Sequence, residues 1–144
     1  MPLRVDILRK KLLSIEEATG RLRSWMPIPL ARLKSDLQLQ WAVERGLQVA
    51  AEGLFDAGNH ILSSALQESV DEYRQIPARL AARGVLTAET AARLDSLAGF
   101  RNILVHEYAA IDLEKLHTSL SRLDDFDAFV GDVVRWLAKK DIPV

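Results

Sequence analysis

Four side chains in the stretch Phe100-Arg101-Asn102-Ile103-Leu104-Val105-His106-Glu107-Tyr108 have types and spacing suited to phosphodiester chemistry. Imidazole takes and returns protons near neutral pH, so His106 is the candidate acid–base group. A guanidinium keeps its charge and offers phosphate oxygens a planar fork of donors, which suits Arg101 to charge that gathers on a phosphorane. Asn102 stands four residues before His106, beside it on a helix, where it could orient the imidazole or the scissile phosphate. Metal-free RNA cleavage, in which a ribose 2′-hydroxyl attacks the adjacent phosphate, needs groups of this kind. Plainer roles exist for the same residues. His106 would serve equally as a cap near a helix C-terminus, and Tyr108 as an amphipathic residue at the edge of a core.

Treated as helix at about 100° per residue, with Phe100 at zero, the stretch divides into two sides. Phe100, Ile103, Leu104 and Glu107 fall between about 300° and 40°, a largely apolar arc. Arg101, Asn102, Val105, His106 and Tyr108 fall between about 80° and 240°. Every polar group except Glu107 therefore gathers on one side.

Arg-Asn-x3-His-x-Tyr, following Gly99-Phe100, resembles the R-x4-6-H signature of the HEPN superfamily of small all-helical RNases. The tyrosine two residues after His106 is similar to that of the HepT branch, the toxin partners of minimal nucleotidyltransferase (MNT) antitoxins. Trp41-Ala42-Val43-Glu44-Arg45, Asp56-Ala57-Gly58-Asn59-His60 and Arg83-Gly84-Val85-Leu86 look like the same branch in the same order, so the resemblance spans roughly residues 3–138. It implies a toxin with metal-independent endoribonuclease activity, with Arg101 and His106 catalytic and Asn102 supporting. It further implies an MNT-type antitoxin as partner and Tyr108 as the acceptor of AMP from it. Under the resemblance Arg45, Asp56, Asn59 and His60 become candidates for lining the cleft. A non-catalytic HEPN module that binds nucleotide or docks the nucleotidyltransferase is the alternative.

The elements that must position these residues read as helices throughout. A chain of 144 residues with 49% hydrophobic and 27% charged residues suggests one globular domain. Val5, Leu8, Leu12, Ile15 and Leu22 recur at helical spacing, which predicts a first helix over about residues 3–23, ended by Met26-Pro27-Ile28-Pro29. Ser35 with Gln38 forms a plausible capping box for a second helix over 37–65, whose apolar positions begin with Trp41. That helix would be roughly 43 Å long, more than one small core requires, which suggests that part of it meets a second subunit. Within it Glu52, Asp56 and Asn59 share a face, either as a solvated stripe or as cleft lining.

Pro77 either kinks a helix or opens a short one. Gly84 reads as a helix stop and Thr87 as the cap of a helix over 87–98. Asp112 caps a last helix running to about residue 140, with Leu113, Leu116, Leu120, Leu123, Val130, Val134 and Leu137 as its stripe and Phe126, Phe129, Val133 and Trp136 widening it. The sum is an all-α antiparallel bundle of four main helices plus short ones, HEPN-like, in a single domain.

Composition excludes several classes. The chain has no cysteine, so it forms neither disulfides nor thiolate metal sites. Glu114-x-x-His117 has the spacing of carboxylate-bridged metal bundles but lacks a second copy, so no metal or cofactor is expected. No P-loop, Rossmann glycine pattern or G-x-S-x-G is present. A net charge of −1 argues against coating nucleic acid broadly; RNA contact must be local. A homodimer, with two motif helices facing each other, would double the local positive charge. No apolar run long enough for a membrane span and no signal peptide is apparent, so the expected setting is cytoplasmic, without membrane or DNA partners.

Overall fold

The computed structural model describes residues 3–97 and 112–140. Its centre is an antiparallel pair. Helix α1 (Val5–Ser24) buries Leu8, Leu12, Ile15, Ala18 and Leu22, and lies along α3 (Leu37–His60). The register is visible at three levels: Leu22 faces Gly46, Ile15 faces Gly53, and Lys11 Nζ lies 3.8 Å from Asp56 Oδ2. Helix α3 is buried on more than one side. Val43, Leu47, Ala50 and Leu54 form one row, and Ala51, Phe55 and Gly58 a second.

The short helix α2 (Leu30–Ser35) was not foreseen, and it moves the capping site. Asp36, not Ser35, caps α3, its Oδ1 accepting from the Leu39 N–H at 3.1 Å. Ser35 closes α2 instead, its hydroxyl donating to the Arg32 carbonyl at 3.2 Å. A carboxylate is at least as good an N-cap as a hydroxyl, so the adjacent aspartate takes the position. Trp41 is also displaced from its expected place: it is 67% exposed, outside the core row. Beyond His60 the chain continues through a π-helical turn (Ile61–Ala65), so the regular part of α3 is shorter than the expected 37–65 helix.

Helix α4 (Ile76–Ala82) carries Pro77 in its first turn, where the missing N–H costs nothing. It ends in a Schellman motif at Gly84 (φ +78°), with the Val85 N–H donating to the Leu80 carbonyl at 2.9 Å and the Gly84 N–H to Ala81 at 3.1 Å. Thr87 caps α5 (Ala88–Leu94) through the Thr90 N–H at 3.1 Å. The Thr87 N–H donates to Asp132 Oδ2 at 3.0 Å, which satisfies a carboxylate that is buried in the middle of the last helix. Arg135 pairs with the other oxygen of Asp132.

The expected single helix over 112–140 is two: α6 (Leu113–Leu120), capped by Asp112, and α7 (Leu123–Lys139). The cause is a cluster of hydroxyl residues. Thr118 and Ser119 bond back to the Glu114 and Lys115 carbonyls at 2.9 Å, and Ser121 to Thr118 at 2.6 Å. The Ser121 and Arg122 N–H groups take i−3 carbonyls at 3.1 Å, which tightens and ends the turn. In α7 the core is Phe126, Phe129, Val133, Trp136 and Leu137, while Val134, expected in the stripe, is exposed. The architecture is all-α, with no strand among the described residues. No described helix is long and apolar enough to cross a membrane.

Two glycine substitutions test this packing. A Cβ on Gly58 would lie 2.6 Å from Ile76 Cγ2, a stiff branched side chain in the core, whereas one on Gly20 meets nothing within 4 Å. Gly58→Ala is expected to lower stability by about 1–2 kcal/mol through overpacking. Gly20→Ala should raise it by about 0.5–1 kcal/mol through helix propensity. Urea midpoints at unchanged slope are the measurement; equal effects at the two sites would contradict the packing described.

Candidate active site

Arg101, Asn102, His106 and Tyr108 lie outside the described residues, in the segment that joins Leu97 to Asp112. Arg122, at the junction of α6 and α7, spends its guanidinium on three partners. Its Nη1 donates to Ser96 Oγ at 2.9 Å, its Nη2 to the Arg93 carbonyl at 2.5 Å, and its Nε to Asp125 Oδ2 at 3.0 Å. The Arg93 carbonyl is the acceptor that a continuing α5 would offer to the Leu97 N–H. Arg122 therefore accounts for α5 ending at Leu94 rather than running to residue 98 as the sequence suggested. Arg93 itself reaches Asp125 at 3.9 Å, so one half-buried carboxylate gathers both arginines.

On the other side Asp112 Oδ1 accepts from the Glu114 and Lys115 N–H groups at 3.0 and 3.2 Å and starts α6. Leu97 and Asp112 both line one cavity of about 690 Å³. Its floor is apolar, from Leu47, Leu94 and Phe126, and its rim carries both Lys115 and the arginine pair and the carboxylates of Asp112, Glu114 and Asp125. A volume of this order holds a nucleotide-sized ligand.

The four candidate cleft residues of α3 are placed elsewhere. None of Arg45, Asp56, Asn59 and His60 lines this cavity; the α3 residue that does is Leu47. Arg45 borders a second, smaller groove between α1 and α3. Asp56 pairs with Lys11, and Asn59 is exposed near the C-terminal end of the helix. His60 ties that end to the start of α1, its Nε2 accepting the Arg4 N–H at 3.2 Å. Its ring proton is then on Nδ1, 3.5 Å from Ser64 Oγ. The sequence missed Arg93, Arg122 and Asp125, for which no local motif exists; Arg93 is 29 and 32 residues from the other two and meets them only through the fold.

The Glu114/His117 pair is engaged in structural contacts. His117 Nε2 donates to the Ile28 carbonyl at 2.7 Å, and Glu114 lies 3.4 Å from Lys34 Nζ. Among the described residues no group of three or more His, Cys, Asp or Glu side chains is arranged to hold a metal ion.

A family profile described as "Ribonuclease HepT-like" matches residues 15–133, most of the chain. The chain belongs to the HepT-like family. Among the curated relatives of this HepT-like chain, the mRNA nuclease HepT of Shewanella oneidensis is 28% identical over 131 residues, covering 90% of this chain and 97% of the relative. The tRNA nuclease HepT of Aphanizomenon flos-aquae is 29% identical over 134 residues, covering 91% and 90%. Among solved structures, a tri-AMPylated HEPN toxin of S. oneidensis in complex with an MNT antitoxin superposes with a TM-score of 0.80 at 26% identity, covering 90% of this chain and 98% of that one. A cytosolic protein of unknown function from Bacillus subtilis shares the fold over the whole HepT-like chain and 98% of its own length, with a TM-score of 0.85 at 18% identity.

His60 makes the described part of the fold sensitive to pH. Burial above all, helped by the nearby Lys11 and Arg4 charges, holds its pKa below the ordinary 6.5, against the opposing effects of the Arg4 backbone hydrogen bond and of Asp6. The folded state therefore binds fewer protons here than the unfolded state, and stability falls as pH drops below the unfolded pKa. Wild-type urea midpoints should decline more steeply than those of His60→Gln between about pH 7 and pH 5.5. Parallel declines would remove His60 from the account.

Proposed function

We propose that this protein is the toxin component of a HepT/MNT toxin–antitoxin pair, a metal-independent endoribonuclease that cuts RNA with Arg101, His106 and Asn102. The observation that carries the reading is the Arg101-Asn102-x3-His106-x-Tyr108 motif, standing inside the span that matches the HepT-like family. The nuclease names of two relatives that cover nearly the whole chain support it. His106 takes the proton from the ribose 2′-hydroxyl, whose oxygen forms a bond to the adjacent phosphorus. The bond to the 5′-oxygen breaks and that oxygen receives a proton, leaving a 2′,3′-cyclic phosphate and a 5′-hydroxyl. Arg101 stabilises the equatorial oxygens with its fork of donors, and Asn102 orients the imidazole or the phosphate.

In sequence the motif lies between two residues that line the larger cavity. Arg101 is four residues from Leu97 and Tyr108 four residues from Asp112, both of which line it. Its rim is mixed in charge, with Arg93, Lys115 and Arg122 set among Asp112, Glu114 and Asp125. A homodimer with its two motifs near the axis would concentrate the Arg101 charge that the net charge of −1 does not supply.

Purified protein is expected to cut RNA in EDTA and leave cyclic phosphate ends. Arg101→Ala and His106→Ala should each abolish cutting with helical circular dichroism unchanged, and Arg101→Lys should fail substantially, because an ammonium cannot reproduce the fork. A requirement for added Mg²⁺, or activity that survives both alanine substitutions, would sink the mechanism.

The antitoxin is proposed to silence this site by modifying Tyr108. The phenol oxygen attacks the α-phosphorus of ATP, AMP is transferred, and pyrophosphate leaves. A relative in complex with its MNT antitoxin is tri-AMPylated, which supports the reading. An added phosphate near Arg101 would pair with the guanidinium and compete with substrate for it. Co-expression with the cognate nucleotidyltransferase should add the mass of one or more AMP units to the peptide that contains Tyr108. Tyr108→Phe should keep RNase activity and escape that modification. AMP found only on other peptides would refute the assignment.

A further inference from the structure

Two of the chain's three tryptophans stand on the surface at one end of the α1/α3 pair. Trp25 is 39% exposed at the end of α1, and Trp41 is 67% exposed near the start of α3. The antiparallel register, with Leu22 opposite Gly46, brings these two ends together. Each indole has an arginine one helical turn away: Arg21 precedes Trp25, and Arg45 follows Trp41. Between the helices runs a groove of about 350 Å³, bordered by Trp25, Arg21 and Arg45, with Ala18, Ala42 and Gly46 leaving room between the walls.

Neither guanidinium is spent on a carboxylate among the described residues, unlike several of its neighbours. Arg23, only two residues from Arg21, is held by Asp124 at 2.9 Å and Asp127 at 2.5 Å. Arg79 and Arg83 share Glu68, and Arg93 and Arg122 share Asp125. Among the described residues neither Arg21 nor Arg45 has a carboxylate within ion-pair distance, although Glu17 also borders the groove. Exposed aromatic rings interleaved with free guanidiniums are the chemistry that holds single-stranded nucleic acid: a base stacks on a ring while flanking phosphates meet cations.

We propose that this groove is a binding site for single-stranded RNA, separate from the site of cleavage. One base stacks on Trp25, its neighbour on Trp41, and the phosphates beside them pair with Arg21 and Arg45. Glu17 accepts a hydrogen bond from the exocyclic amine of a base. The ligand class rests on the ribonuclease reading above. The groove shares no lining residue with the cavity beside Leu97 and Asp112. A protein face is the less suitable occupant. The concavity is the size of one nucleotide, and the core of a protein interface is depleted in unpaired charge.

The test is fluorescence anisotropy of the full chain with a labelled 2′-O-methyl single-stranded RNA, which lacks the attacking hydroxyl and cannot be cut by the proposed route. Trp25→Leu should weaken binding by about tenfold, while Trp25→Phe, which keeps a ring, should stay within about threefold. Arg21→Ala and Arg45→Ala should each reduce the log–log salt slope of binding by about 0.7, a readout that mere loss of packing would not move. Circular dichroism of each variant checks the fold. The proposal is overturned if wild-type protein fails to bind the strand, or if the variants bind with unchanged affinity and slope. It is equally overturned if they lose co-purification with the nucleotidyltransferase while RNA binding is intact, since the surface then serves a protein. Cleavage of natural RNA in EDTA is scored separately. Cutting with unchanged variant binding removes only the groove, and variant-sensitive binding without cutting removes only the ribonuclease.

Discussion

Close approach of α1 to α3 is the constraint from which the rest of the fold follows. At Gly46 a Cβ would fall 2.8 Å from Leu22 Cδ2, and at Gly53 another would fall 3.0 Å from Ile15 Cγ1. Leu22 and Ile15 fill the space those hydrogens leave, and both are essentially inaccessible to water. Interdigitation at this distance admits one register, because sliding either helix by a turn drives a leucine or isoleucine into a larger neighbour. Everything else is laid on that pair. Helix α4 packs at Gly58, α7 reaches across to Arg23, and α2 and α6 meet at the Lys34–Glu114 contact. The same register decides what α3 offers the solvent. It points Asp56 and His60 at the start of α1 and leaves Trp41 and Arg45 uncovered at the other end.

Leu97 and Asp112, which flank the motif segment, are held by a different kind of contact, and neither is fixed by apolar burial alone. The Asp112 carboxylate satisfies the orphan N–H groups of α6. Arg122 takes the carbonyl of Arg93 and the hydroxyl of Ser96, and is itself held by Asp125. Exposed ion pairs contribute about 0–1 kcal/mol each. Arg122 adds bonds to neutral acceptors, however, and these bonds are directional. They set where α5 stops. The break between α6 and α7 is part of the same arrangement, because a continuous helix over 112–140 would carry residue 122 along its axis instead of leaving it at a corner.

Helix periodicity made most of the architecture legible. The core of α1, the row from Val43 to Leu54 and the caps at Thr87 and Asp112 could be read directly, since one side chain or one spacing decides each. The helix boundaries that failed are those decided by competition. Ser35 lost to Asp36 by one residue, and the hydroxyls of Thr118, Ser119 and Ser121 overrode an apolar stripe that continued past them. Trp41 and Val134 were counted as core because they are apolar, yet nothing in their spacing says which flank of a helix its neighbours will cover. At the site the balance reverses. The motif from Arg101 to Tyr108 is wholly local in sequence, whereas Arg93, Arg122 and Asp125 acquire meaning only when three helices meet.

Charge is arranged in a way that bears on what this chain can bind. With 19 basic and 20 acidic residues, it has no field to draw a polyanion from a distance. Much of the basic charge is also neutralised in place, as at Arg23, Arg79, Arg83 and Arg135. Physiological salt screens exposed charges beyond about 8 Å, so the cations that remain free act only on what touches them. Recognition of RNA by such a surface has to come from contact: stacking on exposed rings, and guanidiniums meeting individual phosphates. The α1/α3 groove places both kinds of group together. As the proposed strand site, this groove would select accessible, unpaired strand over duplex, because only an unstacked base can present its face to an indole.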